Sequence, residues 1–592
     1  MDVRQVLESV GIDKLPEQWS ERYLRGVENM SKPIYGVVKE EDVYMSLRDG
    51  TRLCVDLYRP DAPEQEQFPG LVAYSSYGKS IQTMPRVPLQ FKTVLFDHTI
   101  EAGDVEYYVK RGYIVAIPDP RGIGKSEGAW DGLYGKVEQE DCYDVIEWLA
   151  SLPRCSGNIG MIGISYFSIL QPLVAALRPP HLKAIMMCEV VDSLYHHNYP
   201  GGVMTDRSFM YTDFCPATRA ISTSERLYTG EELRRRVQAR LADRDTAARP
   251  LMTRVLSCWP PKHQSYFFDV LLHDNDGDFW AERSILNRVQ EIDIPMYLSS
   301  EFYDLGRFIQ GPFYVYENAR PGLPMKLAGL EKHDDLHLPH RALSEEYVRW
   351  YDYWLKGIDT GIMDEPPIKL KVRGIDKYKY EYEWPIARTC WTKYYLRADG
   401  SLSTQAEEAP GVAPVEMQHL NPLRHSYWPR EAAAATFTSA PMEQDTEVTG
   451  PVLLHLEAAI DADDANFVAV LQDVPPQGRP EVLAIGCLRA SHREVAQDPD
   501  RPWKVTHDHT KRVPVTPGQR MCYNIEIVNI CNLFRKGHRI QLQLKNTDPT
   551  EYHWMMQLPN AIDIRYSFEV GSEHPSYLLL PVIPHTPEEN WL

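Results

Sequence analysis

From residue 41 the chain alternates apolar and polar positions. Glu41-Asp42-Val43-Tyr44-Met45-Ser46-Leu47 and Leu53-Cys54-Val55-Asp56-Leu57-Tyr58 flank Arg48-Asp49-Gly50-Thr51, whose Asp-Gly pair is a hairpin turn signal, so two antiparallel strands are predicted here. After Arg59-Pro60 the alternation stops. Short continuous apolar runs take over, at Gly70–Tyr74, Tyr113–Ile117 and Ile159–Gly163, separated by helical stretches such as the amphipathic segment from Glu138 to Leu149, with Val145, Trp148 and Leu149 on one side. Such runs predict parallel strands buried on both faces. From about 182 to 290 the pattern is interrupted by helix formers and charge, as in Glu231–Leu241, and the stretch is too long for a loop. The runs resume at Ile294–Ser300 and Met325–Leu330, and the aromatic segment Tyr347–Lys356, closed by Gly357, predicts a helix whose rings belong to the core. From about 367 onward helical periodicity gives way to alternating segments between turn clusters, among them Ile368–Val372, Gly450–Leu456, Phe467–Leu471 and His538–Leu544. Many spaced strands of this kind predict a β-sandwich.

The expected organisation is therefore an N-terminal appendage over 1–38, an α/β domain over 39–181 and 291–366, a helical cap over 182–290, and a β-sandwich over 367–592. A length of 592 residues, with 43% hydrophobic and 11% aromatic content, fits several globular units. The net charge of −20 disfavours nucleic acid and anionic membrane surfaces as partners. No basic segment leads into an apolar run at the N-terminus, and no uninterrupted apolar stretch is long enough to span a bilayer, so a cytoplasmic location without a membrane anchor is expected. The 10 cysteines are scattered without a C-x-x-C pair, which suits buried reduced thiols rather than disulfides or a metal site.

Chemistry enters at Gly157–Leu170. The stretch reads as a buried strand, a tight turn at Ser165 and the first turn of a helix, with Gly163 two residues before the serine, where a side chain has little room. This is the pattern of a nucleophile elbow, which lifts the serine hydroxyl above the carboxyl end of a sheet and aims the N–H of Tyr166 at a developing oxyanion. The usual second glycine is replaced by Phe167, and a Gly-x-Ser turn can also be an ordinary βα connection. Two other loops fall at the same edge, where open α/β sheets bind ligands. They are Tyr74-Ser75-Ser76-Tyr77-Gly78-Lys79 and Asp119-Pro120-Arg121-Gly122-Ile123-Gly124-Lys125-Ser126-Glu127-Gly128. The second fits neither glycine-rich phosphate motif and is expected to brace the site through Asp119 and Arg121. Asp304 lies just past a late strand, where the acid of a Ser, Asp, His triad belongs.

The series Asp119-Pro120-Arg121-Gly122-x-Gly124-x-Ser126-x-Gly128, then Trp148-Leu149, then Gly163-Ile164-Ser165-Tyr166, resembles the cocaine esterase / X-Pro dipeptidyl-peptidase (CocE/NonD) family of α/β-hydrolases, over roughly residues 40 to 585. The resemblance implies an α/β-hydrolase domain with a helical cap and a C-terminal jelly roll, a function as a serine esterase or amidase, and no cofactor or metal. It implies Asp304 as the acid and His333 as the base, and it places a tyrosine hydroxyl as second oxyanion donor at Tyr77, with Tyr74 as runner-up. The chain departs from the family pattern around the triad. Glu301-Phe302 precede Tyr303-Asp304 where the family often has Gly-Trp, Gly329-Leu330-Glu331-Lys332-His333 stands for Gly-Pro-Trp-x-His, and Ser76 stands for a proline. Of the neighbouring groups, His337, His340, Asp334 and Asp335 are read as solvent-facing.

A small-molecule ester or amide is the expected partner, and the residues leave a homo-oligomer open. Trp130, Tyr134, Tyr195 and Tyr199 are candidates for an apolar substrate slot, with Phe209, Tyr211, His196 and His197 nearby, although any one buried aromatic more often just fills volume. A dipeptidyl-peptidase would instead need carboxylates for a free amine, for which Glu189 and Asp192 are available. An acyltransferase or cyclase could use the same triad in a dry pocket.

Overall fold

The computed structural model describes residues 28–82, 101–130, 132–205, 230–243, 266–302, 308–330, 341–375, 377–409, 411–420, 433–497, 501–547, 562–587 and 590–591. The hairpin at the start is longer than its alternation suggests, with β1 (Gly36–Ser46) antiparallel to β2 (Arg52–Asp61) around Gly50 at φ 88°. The apolar runs become β3 (Phe68–Val72), β4 (Ile114–Pro118), β5 (Cys155–Met161), β6 (Leu182–Cys188), β7 (Met296–Glu301) and β8 (Met325–Leu330). With β9 (Ile368–Val372) and β10 (Lys377–Glu381) they form one ten-stranded sheet in the order β1-β2-β4-β3-β5-β6-β7-β8-β9-β10. From β4 across to β9 the neighbours pair in parallel. Every residue of β3, β4 and β7 is buried, because helices cover both faces.

Three helices pack against the strands of this sheet. They are α1 (Lys136–Ser151), α2 (Tyr166–Ala175) and, after the cap, the aromatic helix Arg341–Lys356. The last of these hydrogen-bonds the strands themselves: Trp350 Nε1 donates to the Ile185 carbonyl at 3.1 Å, and the Tyr351 hydroxyl donates to the Met161 carbonyl. Tyr347, Trp350 and Tyr351 are core, as the sequence predicts, while Tyr353 and Trp354 are only partly buried.

Two segments lie elsewhere than expected. Leu182–Cys188, expected within the cap, is the sixth strand of the parallel sheet, so the helical interruption starts after Cys188. Ile368–Val372, expected in the sandwich, extends the first sheet from β8, and Lys377–Glu381 closes that edge. Its alternation has a local cause: Ile368, Leu370 and Val372 are buried, while the Lys369 and Lys371 ammonium groups lie over the Tyr378 ring on the neighbouring strand, 5.0 and 4.8 Å from its centroid.

Between β6 and β7 the described residues are helical at α3 (Leu194–Asn198), α4 (Gly230–Leu241) and α5 (Tyr266–Leu272). The C-terminal part is a β-sandwich built on an eleven-stranded sheet. Its central strands are β11 (Thr446–Ile460) and β12 (Met521–Phe534), which pair antiparallel over most of their length, and Leu454, Leu456, Tyr523 and Ile525 line its core. The sandwich grips the α/β sheet through Arg373, whose N–H donates to the Cys531 carbonyl at 3.0 Å and whose Nη2 lies 2.6 Å from Glu481 Oε1.

Candidate active site

Ser165 sits between β5 and α2 at φ 55° and ψ −116°, a backbone conformation that L residues rarely adopt. Holding a non-glycine residue there costs about 1–3 kcal/mol and persists only where the surroundings over-determine it. They do so here. The Ser165 N–H donates to the Cys188 carbonyl at 3.0 Å, and Ile164 donates to the Glu101 carbonyl at 3.1 Å. Ser168 Oγ donates to the Gly163 carbonyl at 2.7 Å and accepts from the Cys188 N–H at 2.8 Å, and the Tyr347 hydroxyl also donates to Gly163, at 3.0 Å. Gly163 itself stands at φ 113°, and a Cβ there would lie 2.5 Å from Phe167 Cβ. The glycine the sequence singles out is therefore required sterically, and Phe167, standing where the second glycine is usual, is the side chain it accommodates.

Ser165 is only 7% exposed, and α2 begins at Tyr166. The Tyr166 N–H is the first of that helix, at its partially positive end, and follows directly on Ser165. The Tyr77 ring is half-buried and meets the Tyr166 ring edge-on at 5.4 Å, with Phe167 at 6.4 Å. The structure thus brings Tyr77 to the serine turn. Tyr74, two residues past the end of β3, is fully buried in the core.

Asp119 ties the two edge loops together. Its Oδ1 accepts the Lys79 N–H at 2.9 Å and its Oδ2 accepts the Lys125 N–H at 3.0 Å. Gly124, at φ 52°, lies against this carboxylate, where a Cβ would sit 2.2 Å from Oδ2. Arg121 makes a two-pronged bond to Asp141, 2.8 Å on each arm, and reaches Asp49 at 2.7 Å. Both residues brace the loops, as the sequence predicts.

One residue at the site escapes sequence reasoning. Glu138, in the first turn of α1, is buried, and its carboxyl accepts the Tyr166 hydroxyl at 2.8 and 3.0 Å and the Tyr134 N–H at 2.6 Å. The Tyr134 ring packs on Tyr166 at 4.4 Å, and Tyr134 itself holds φ 56°. Burial pushes the Glu138 pKa up to about 8, against the pull of the two hydrogen bonds. Between its ordinary value of 4.5 and about 8 the folded chain keeps a proton that the unfolded chain has released, so this group makes stability fall as pH rises through that window. Glu138→Gln, which keeps an acceptor for the Tyr166 hydroxyl, is expected to flatten the decline of Tm between about pH 5 and 8. An unchanged slope would assign the titration to another group.

The strands that lead to the two remaining candidates lie side by side. β7 and β8 pair with Glu301 opposite Leu330, one strand beyond β6 from the serine turn. Asp304 and His333 each follow three residues later in the chain, and both lie outside the described residues, as do Phe209, Tyr211, His337, His340, Asp334 and Asp335.

The aromatic candidates separate. Tyr134 is buried against Tyr166 beside the serine turn, and Trp130 is buried in the core. Tyr195 and Tyr199 belong to the packed interior of the cap. They stack at 5.4 Å, Tyr195 lies 6.1 Å from Trp280, and their hydroxyls reach the carbonyls of Asp274 at 3.4 Å and Val270 at 2.7 Å. His197 packs on Phe308. His196 pairs through Nδ1 with Asp192 at 2.8 Å; burial opposes its charge, but Asp192, Asp276 and Glu526 outweigh that and raise its pKa to about 9. Glu189 is buried at φ 63° and donates its N–H to the Ser299 carbonyl at 3.0 Å.

Comparison with known proteins agrees with this architecture. Residues 49–328 match the family model described as X-Pro dipeptidyl-peptidase (S15 family), and residues 360–578 match that of the X-Pro dipeptidyl-peptidase C-terminal non-catalytic domain. The chain is 24% identical over 603 residues to a cocaine esterase of Rhodococcus sp. (strain MB1 Bresler), covering 92% of this chain and 98% of that one. Among solved structures it is similar to a CocE/NonD family hydrolase of Staphylococcus aureus, with a TM-score of 0.73 and 21% identity over 92% and 94% of the two chains. An aminopeptidase from the marine sediment archaeon Thaumarchaeota archaeon superposes with a TM-score of 0.70 and 16% identity over 93% and 97%.

Proposed function

The chain belongs to the cocaine esterase / X-Pro dipeptidyl-peptidase family of α/β-hydrolases and is a serine hydrolase; from that premise we propose that it cleaves esters through an acyl-enzyme formed on Ser165. The observation that carries the assignment to this residue is the strained, latched turn at φ 55°, at the carboxyl edge of the parallel sheet. His333 takes the Ser165 proton and returns it to the leaving group, and Asp304 holds the imidazole in the productive tautomer and stabilises its charged form. The tetrahedral oxyanion is held by the Tyr166 N–H and the Tyr77 hydroxyl. Trp130 and Tyr134 wall the acyl side of the pocket.

Ester rather than X-Pro peptide cleavage is favoured by the state of Asp192 at the start of the cap. A dipeptidyl-peptidase needs an uncommitted carboxylate for the substrate's amine, and Asp192 is already paired with a histidine that it keeps protonated. Among the described residues no helix is long and apolar enough to cross a membrane. The eight described cysteines are free thiols, most of them buried, which supports a reducing, cytoplasmic setting.

The test is a substrate panel of p-nitrophenyl esters, aminoacyl anilides and X-Pro anilides. Turnover is expected on the esters; turnover confined to X-Pro anilides would replace this reading by the peptidase one. Product in the form of an acyl adduct of an added amine, with little free acid, would make the enzyme a transferase. On the preferred ester, Tyr77→Phe is expected to lower kcat by about 10²–10³ with KM little changed, as for loss of one oxyanion donor. A KM effect alone would move Tyr77 from the oxyanion to the binding pocket.

A further inference from the structure

The outward face of the sandwich carries a group of ligand-type side chains that the hydrolase reaction does not use. His455 and Glu457 lie two apart on β11, and Asn524 and Cys522 stand directly opposite them on β12. Alternation puts all four on the same side, since Leu454, Leu456, Tyr523 and Ile525 point into the core. The ligand atoms of His455, Glu457 and Cys522 all lie within 4.8 Å of one another, and all three residues are half-buried, so an ion can reach them from solvent.

From this geometry we infer that His455, Glu457 and Cys522 form a zinc site that clasps β11 to β12, with a water completing a tetrahedron. One imidazole nitrogen, one thiolate and one carboxylate oxygen make a donor set suited to Zn²⁺ rather than to Mg²⁺ or Ca²⁺, which prefer all-oxygen surroundings. Zinc–ligand bonds of about 2.0–2.3 Å place neighbouring donors about 3.3–3.8 Å apart in a tetrahedron. Here His455 Nε2 is 3.7 Å from Glu457 Oε1, and Cys522 Sγ stands within 4.8 Å of the ligand atoms of both residues. Rotamer adjustment of about 1 Å closes the set.

The surroundings already orient these donors. Asn524 Oδ1 lies 2.8 Å from His455 Nδ1, and its Nδ2 lies 3.7 Å from Cys522 Sγ. A single amide thereby fixes the His455 tautomer with Nδ1 protonated, leaving the Nε2 lone pair on the side of Glu457, while donating to the sulfur. The imidazole plane is held by stacking on Tyr577, centroids 4.8 Å apart and planes 20° apart. Arg520 Nε lies 3.6 Å from the second oxygen of Glu457, and that oxygen is not needed as a ligand.

Binding of Zn²⁺ couples loss of the Cys522 thiol proton to formation of the Zn–S bond, with the proton released to solvent. The test uses the full chain, reduced and freed of metal by chelation, titrated with Co²⁺ as a spectroscopic probe and then with Zn²⁺. One Co²⁺ per chain with a thiolate-to-cobalt charge-transfer band in the near ultraviolet is expected, together with visible bands of tetrahedral intensity and displacement by Zn²⁺. Cys522→Ser should remove the band, and Asn524→Ala should weaken binding by roughly 10–100-fold. Zn²⁺ should raise the Tm of the parent and leave that of Cys522→Ser unmoved. The variants are checked for folding by an unchanged ester turnover, and Ser165→Ala should bind the metal as the parent does, which separates this site from the hydrolase assignment. Absence of a charge-transfer band in the folded parent would overturn the proposal. So would a band that survives in Cys522→Ser, which would point to another thiol such as the exposed Cys390.

Discussion

Ser165→Ala is expected to lower kcat on a p-nitrophenyl ester by roughly 10⁶-fold while leaving Tm and far-ultraviolet circular dichroism close to the parent's. The two halves of this expectation rest on different features. The loss in rate follows from the proposed mechanism, in which Ser165 at the top of β5 is the group that becomes acylated and no other side chain takes its place. The unchanged stability follows because alanine must hold the same φ of 55° as serine, and the latch through Ser168, Tyr347 and the Cys188 carbonyl does not involve the Ser165 side chain. Ser165→Gly is the informative companion. Glycine adopts this conformation freely, so it should be as inactive as the alanine variant and more stable than the parent by about 1 kcal/mol. A stable, active Ser165→Ala enzyme would remove the nucleophile assignment altogether.

The second large effect is expected at Asp304. Asp304→Asn should reduce kcat by about 10⁴-fold with KM nearly unchanged, because an amide at this place favours the wrong imidazole tautomer and cannot stabilise the imidazolium. The chain geometry leading to it is favourable: β7 and β8 are adjacent and parallel, with Glu301 and Leu330 in register, so Asp304 and His333 follow neighbouring strand ends by the same number of residues. Near-normal turnover in Asp304→Asn would require another acid behind the histidine, and the buried Glu301 is the first to test.

Much of the fold is legible in the sequence, for reasons that also explain the misses. The hairpin is marked by Asp49-Gly50, the parallel strands by apolar runs too short for helices, and the serine turn by Gly163, whose steric necessity the structure makes explicit. The strand Leu182–Cys188 is hard to separate from the cap because a short apolar run has no periodicity of its own and suits helix and strand alike. Ile368–Val372 reads as sandwich because lysine side chains lying over Tyr378, on the antiparallel strand at the sheet's edge, give a strand of the α/β sheet the alternation of the sandwich strands. Glu138 leaves no signal at all, since an acid in the first turn of a helix ordinarily faces solvent and interacts with the helix dipole. Only the tertiary structure reveals that it holds the Tyr166 ring. Tyr195 and Tyr199 show the converse: aromatic residues near a cap suggest a substrate slot, while their hydroxyls and rings are engaged in the cap's own packing.

The central claim is that Ser165 is the residue that becomes acylated. Its most direct test is treatment of the native enzyme with a fluorophosphonate, followed by intact-mass measurement and peptide mapping of the adduct. The expected result is a single phosphonyl group per chain on the peptide containing Gly163-Ile164-Ser165-Tyr166, with no labelling of Ser165→Ala. An adduct on a different residue, or undiminished labelling of Ser165→Ala, would contradict it.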